Sequence, residues 1–158
     1  MKIISIDPGF ERVGIAVLEK TNKTCEEILY SNCFKTSAKI PFSERLFLIG
    51  TEINKIIKKY KPEALIIETL FFTTNQKTVM NVSEARGVII YEASIAGLKI
   101  VEFTPLQIKV ACTGYGKATK NQVFSMVKKL IKIDSGVKSD DEIDAIAVGL
   151  TYFACNKV

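Results

Sequence analysis

The 158-residue chain contains no histidine. That absence excludes every Ser-His-Asp or Cys-His catalytic pair and every His-ligated zinc site. Any metal chemistry is left to carboxylates, which suit hard ions such as Mg²⁺ or Mn²⁺. Cysteine is sparse, and Cys25, Cys33, Cys112 and Cys155 include no C-x-x-C pair. A disulfide framework is therefore not expected, and the four read as reduced thiols of a cytoplasmic protein. No uncharged apolar stretch approaches the roughly 20 residues of a membrane helix. The apolar start, Met1 to Ile6, is broken by Asp7 too early for a signal-peptide core. Internal repeats, linkers and low-complexity segments are also missing, so residues 1–158 are expected to form a single domain.

What is present is an ordinary globular composition, 47% hydrophobic and 25% charged. Twenty-two Lys and Arg against 17 Asp and Glu leave a formal charge of +5, compatible with a nucleic-acid partner without requiring one. Residues 2–7 form an apolar, β-branched run ending in Asp7, followed by the turn signal Pro8-Gly9. Residues 12–19 and 24–34 read as two further strands around a polar turn at 21–23, an antiparallel meander. Pro41 opens a helical pattern through Phe42, Leu46, Ile49, Ile53, Ile56 and Ile57, and Pro62 closes it. Lys55, Lys58, Lys59 and Lys61 crowd the end of this helix and complement its dipole.

Residues 63–68 are a short buried strand ending in Glu68. Residues 75–97 are a long helix whose apolar positions spread beyond one face, which sets it either inside the monomer or in a dimer interface. A fifth strand at 98–103 precedes helices at 105–112 and 119–132. Ser139-Asp140-Asp141-Glu142 is a capping box that starts a last helix. The order βββαβαβααα predicts an α/β fold, a mixed five-stranded sheet flanked by helices.

Four acids stand out. Asp7 and Glu68 lie at the ends of apolar strands, at the rim where α/β ligand sites occur, and converge if the first and fourth strands are neighbours. Asp141 and Asp144, three apart, share a face in the first turns of a helix. Four carboxylates in one cleft repel unless cations neutralise them. Two divalent ions about 3.5–4 Å apart would do so, one activating water and the other stabilising a leaving 3′ oxygen, which is phosphodiester hydrolysis without a side-chain nucleophile. Asp140 and Glu142 read as capping residues, Glu11 and Glu63 as surface.

From Lys109 to Lys138 there are seven lysines and one acid, Asp134. Lys109, Lys117 and Lys120 surround the glycine loop Gly114–Gly116 and suit a phosphate backbone. Lys128, Lys129 and Lys132 lie on an amphipathic helix, either as phosphate contacts or as its solvated face. Phe71-Phe72, directly after Glu68, either plugs the core or stacks on bases.

These residues, taken together, resemble the RuvC family of bacterial Holliday junction resolvases. The matching segments are Ile6-Asp7-Pro8-Gly9, Ile67-Glu68 with Phe71-Phe72 and Asn75, Ala85-Arg86-Gly87, Gly114-x-Gly116-x-Ala118-x-Lys120 with Gln122-Val123, and Asp141-x-x-Asp144-Ala145-x-Ala147. They occur in the family's order from one end of the chain to the other. The resemblance implies an RNase H-like fold and a homodimer, built through the helix at 75–97, that binds a four-way DNA junction. It implies paired symmetric nicks leaving 5′-phosphate and 3′-hydroxyl ends. It also implies Asp7, Glu68, Asp141 and Asp144 as catalytic metal ligands for Mg²⁺, with Mn²⁺ as a substitute. Phe71 is implied as a base contact, Lys109 and Lys120 as basic residues near the scissile phosphate, and RuvA and RuvB as partner proteins. Thr73-Thr74 precede Asn75 where relatives often carry a lysine, which leaves one phosphate contact without its residue. Two other readings compete: a non-catalytic module for branched DNA, which would not need all four acids, and an actin-like kinase or ATPase, for which the chain is too short.

Overall fold

The structure is a computed structural model that describes residues 1–22, 25–70, 76–133 and 139–156, with backbone only at 22, 25, 76 and 77. Ten elements follow in the expected order. They are β1 (Lys2–Asp7), β2 (Arg12–Asn22), β3 (Cys25–Lys35), α1 (Phe42–Tyr60), β4 (Ala64–Glu68), α2 (Gln76–Ile95), β5 (Lys99–Phe103), α3 (Pro105–Thr113), α4 (Lys120–Leu130) and α5 (Asp140–Cys155). The sheet order is β3-β2-β1-β4-β5. β1–β2 and β2–β3 are antiparallel, whereas β1–β4 and β4–β5 are parallel. The mixed sheet and the meander thus stand as expected, and the first and fourth strands are neighbours, which meets the condition for Asp7 and Glu68 to converge. β2 runs longer than read, to Asn22, because its long hairpin with β3 keeps pairing through two register shifts. The predicted polar turn therefore falls partly inside the strand, and Lys23 lies outside the described residues.

Two apolar layers cover the sheet. Ile4, Ile6, Ile15, Val17, Leu65 and Ile67 face α1 and α2, meeting Ile49, Ile53, Ala85 and Ile89. Ile3, Ala16, Leu18, Ala64 and Ile66 face α3, α4 and α5, meeting Ile108, Val127, Ile143 and Ile146. Successive strand residues point to opposite faces. Asp7 therefore shares the face of Ile3 and Ser5, and Glu68 that of Ala64 and Ile66. That face is the one α5 crosses.

Small residues let α5 come close. A Cβ on Gly14 would overlap the Asp141 carbonyl, and one on Gly149 would lie 2.8 Å from Ser5 Oγ. The last helix starts as its sequence dictates: Ser139 Oγ accepts from the Glu142 N–H, and Glu142 Oε1 accepts from the Ser139 N–H. Glu142 does more than cap, however. It is buried and also accepts from Ser31 Oγ of β3 at 2.9 Å, which ties the helix start to the sheet.

On the opposite side, α2 docks through one stripe, Ala85, Ile89 and Ala93, all fully buried. Its other side leaves Met80, Tyr91 and Ile95 more than 60% exposed, beside Phe47 of α1 at 72%. Of the two placements open to this helix, burial on all sides within the monomer is therefore not the one found.

Candidate active site

β1 and β4 run parallel and end side by side, in register from Ile3↔Ala64 to Ile6↔Ile67. Asp7 and Glu68 are the next residues at the same end of each strand. Across β1, Asp7 pairs with Gly14. The missing Gly14 side chain admits the first turn of α5, bringing Asp141 and Asp144 over the strand ends. A cleft of about 220 Å³ opens here, lined by Glu68, Lys109, Lys120 and Asp144 among apolar neighbours.

Electrostatics register the convergence. Burial, then the charges of Glu68, Asp144 and Asp141, push the Asp7 carboxyl from 3.8 up to about 8. Burial and Asp144 push Glu68 from 4.5 up to about 7, against the pull of Lys109 and Lys120. Asp144 is raised too, mainly by burial. Each shift marks a charge held at a cost in a poorly solvated place, the pattern of functional sites.

Two cations attend the outer pair. Lys120 Nζ donates to Asp144 Oδ2 at 2.8 Å and lies 3.9 Å from Asp140. Arg12 meets Asp141 Oδ2 at 2.5 Å, and Cys33 Sγ donates to the same oxygen at 3.3 Å. Oδ2 of Asp141 is thus doubly engaged. Neither Arg12 nor Cys33 was singled out from the sequence. Their link to Asp141 depends on the β2–β3 register that sets Cys33 opposite Gly14, and only the alternation of small residues along those strands hints at it.

The loop after Asp7 is fastened from α1. Buried Arg45 donates to the Phe10 carbonyl at 3.0 Å and to Thr36 Oγ1 at 2.8 Å. A side chain at Gly9 would overlap the Arg12 carbonyl, so the turn requires glycine.

Of the residues expected to meet DNA, Lys109 and Lys120 line the cleft. Lys117 is exposed between α3 and α4 and is not among the cleft-lining residues. Phe71 and Phe72 lie outside the described residues. Glu63 is exposed but not idle, since it accepts from the Lys2 N–H at 2.9 Å. Glu11, expected at the surface, lies 3.7 Å from Arg45.

The residues present suit a hard divalent cation. The four acids offer only oxygen donors, and two are half-buried carboxylates whose mutual repulsion a cation would relieve. Among the described residues, no three acids or thiols are already gathered into a metal-holding cluster, and Arg12 and Lys120 are the charges that engage the outer two.

The family model described as crossover junction endodeoxyribonuclease RuvC matches residues 3–152. The chain is 43% identical over 152 residues to the crossover junction endodeoxyribonuclease RuvC of Halothermothrix orenii, covering 96% of this chain and 92% of that one. It is 40% identical over 158 residues to that of Caldanaerobacter subterraneus subsp. tengcongensis, covering 100% and 95%. Among solved structures, Thermus thermophilus RuvC in complex with a Holliday junction substrate superposes with a TM-score of 0.89 at 28% identity, covering 96% of this chain and 92% of that one. The parallel β1–β4 core, the acids at its rim and a match along nearly the whole chain all carry the same conclusion: this chain belongs to the RuvC family of crossover junction endodeoxyribonucleases.

Proposed function

We propose that this chain resolves Holliday junctions with Asp7, Glu68, Asp141 and Asp144 as the acids that hold two divalent cations, Mg²⁺ or Mn²⁺. The observation that carries the reading is the raised carboxyl pair at the ends of β1 and β4, faced by the first turn of α5. A merely structural cluster has no reason to crowd like charges at two strand ends where the nearby lysines offset them only in part. When bound, divalent cations supply an activated water and stabilise the leaving 3′ oxygen.

The chain's own groups do the rest. Asp7 and Glu68 offer rigid oxygens from sheet ends, and Asp141 offers Oδ1 while Arg12 and Cys33 hold Oδ2. Lys120 and Lys109, on the cleft wall, orient the phosphate. Lys117 and Phe71 extend the contact, Lys117 to the backbone and Phe71 to junction bases. The outward Phe47, Tyr91 and Ile95 of α1 and α2 support a homodimer, which two nicks in one junction require. RuvA and RuvB are the expected partners by family likeness. The expected setting is the cytoplasm, whose reducing conditions suit thiols such as Cys33 and Cys112.

The test is cleavage of a synthetic four-way junction with and without Mg²⁺. Asp7→Asn or Glu68→Gln should abolish nicking while leaving binding in EDTA largely intact. Wild-type cutting by Asp7→Asn would refute the carboxylate assignment. Binding without nicking by the wild-type protein in Mg²⁺ would favour a non-catalytic junction-binding module.

A further inference from the structure

Of the segment Ala85-Arg86-Gly87, Ala85 is accounted for by packing, since it is fully buried in the α2 stripe. Among the described residues nothing lies within 4 Å of a Cβ built on Gly87. Arg86 is the residue whose placement asks for a function. Its side chain is only 17% exposed and turns toward the end of β4. Nε donates to the backbone carbonyl of Glu68 at 3.2 Å. A terminal guanidinium nitrogen lies 2.8 Å from Glu102 Oε2 on β5, an ion pair rather than an aligned hydrogen bond.

This contact falls where the sheet ladder stops. The β1–β4 pairing ends at Ile6↔Ile67, and Glu68 is the last residue of β4. Beyond it, the Thr69 N–H still reaches the Phe103 carbonyl at 2.9 Å on the β5 side. A half-buried carbonyl at a strand end needs a donor, and a charged one holds it more firmly than a neutral one. Arg86 is not among the charges that set the Glu68 carboxyl, so its effect on that residue is positional. The same device recurs after Asp7, where Arg45 reaches from α1 to the Phe10 carbonyl. An arginine from the helical layer behind the sheet thus holds a backbone carbonyl near each sheet acid, Glu68's own in one case and that of Phe10, three residues past Asp7, in the other.

We propose that Arg86 is a positioning residue for the reaction: it clamps the Glu68 peptide between α2 and β5 and so fixes where the Glu68 carboxylate meets a divalent cation. The clamp requires arginine. A planar guanidinium spans the carbonyl and Glu102 together, whereas one ammonium cannot serve both in that geometry. The inference rests on the reading of Glu68 as a cation ligand, and the controls below separate the two.

The experiment compares the wild-type chain with Arg86→Met, Arg86→Lys, Glu102→Gln and Glu68→Gln. Three quantities are read: junction binding in EDTA, single-turnover junction cleavage in Mg²⁺, and Mn²⁺ affinity of the free protein by electron paramagnetic resonance. Arg86→Met should bind junctions normally but cut them roughly 10–100-fold more slowly, with Mn²⁺ affinity weakened by a similar factor. Arg86→Lys should fall between Arg86→Met and wild type. Glu102→Gln, which keeps the contact to the carbonyl but removes the ion pair at the other end of the clamp, should slow cleavage less than Arg86→Met, with junction binding unchanged.

The proposal is overturned if folded Arg86→Met cuts and binds Mn²⁺ like the wild type, or if its slower cutting comes with an equal loss of junction binding. Should Arg86→Met not fold, Arg86→Lys decides, and wild-type cleavage and Mn²⁺ affinity in that variant overturn the proposal. If Glu68→Gln itself cuts normally, the underlying assignment of Glu68 has failed. If Glu68→Gln is inert while Arg86→Met is unimpaired, the clamp alone has failed.

Discussion

Raising the pH of the protein in EDTA should destabilise it, opposite to the behaviour of carboxylates held in ion pairs. In the unfolded chain Asp7 and Glu68 ionise near 3.8 and 4.5, and in the folded protein near 8 and 7. Well below pH 3.8 both carry their protons whether the chain is folded or not, and their contribution to stability is fully present. As pH climbs toward 7 and 8 the unfolded chain ionises freely while the folded one resists, so the folded state binds more protons and stability falls. At about 1.4 kcal/mol per pH unit, the window from pH 5 to 9 costs about 4 kcal/mol through Asp7 and about 3 through Glu68. The Glu68 charge is itself part of what raises Asp7, so the pair acts as one coupled quantity on the order of 5 kcal/mol. In a domain of this size that lowers the melting temperature by about 10–20 °C. Circular-dichroism melts in EDTA between pH 5 and 9 measure it. Millimolar Mg²⁺ or Mn²⁺ should flatten the profile, because a bound cation favours the ionised acids. The double variant Asp7→Asn, Glu68→Gln should flatten it without metal. An unchanged melting temperature across that window, or an equal fall in the double variant, would refute the reasoning.

Gly14→Ala should fold less stably and lose junction cleavage, since its methyl group overlaps the Asp141 carbonyl and must push α5 off the strand ends; nicking and thermal melts check both. Lys120→Met should slow cleavage by roughly 10–100-fold while sparing dimerisation, because the cation that engages Asp144 and faces the phosphate is lost; single-turnover kinetics with light scattering on the same sample would expose any other pattern. Tyr91→Glu, 61% exposed in the monomer, should shift the protein to monomers with little change in monomer stability and abolish paired nicking. Light scattering reads the mass, and a cruciform plasmid assay distinguishes one nick from two.

Much of this fold is written in periodicity. The apolar runs ending at Asp7 and Glu68 marked two strands, but their adjacency was only a condition until the sheet order supplied it. The spacing of Asp141 and Asp144 placed them on one helical face, and Ser139 with Glu142 marked where that helix starts. Arg12, Cys33 and Arg86 were not legible as partners of the acids. Each becomes one through a contact between segments far apart in sequence, decided by hairpin register or by the depth at which a helix settles on the sheet. The second task of Glu142, on Ser31, was hidden for the same reason. An arginine in a helix reads as solvated surface until the sheet beneath it is known.

The placement of α5 has a consequence for the timing of activity. Asp7 and Glu68 come from the first half of the chain, but their counterparts arrive with the last helix, which must cross β1 and β2 before any cleft exists. A nascent chain still short of residue 144 would lack at least one of the four proposed acids and the helix that carries it. Proteolysis ahead of residue 139 would leave the strands and remove the opposing acids in one cut. Under the proposed assignment, junction cleavage has to wait for the folding of α5 onto the strand ends.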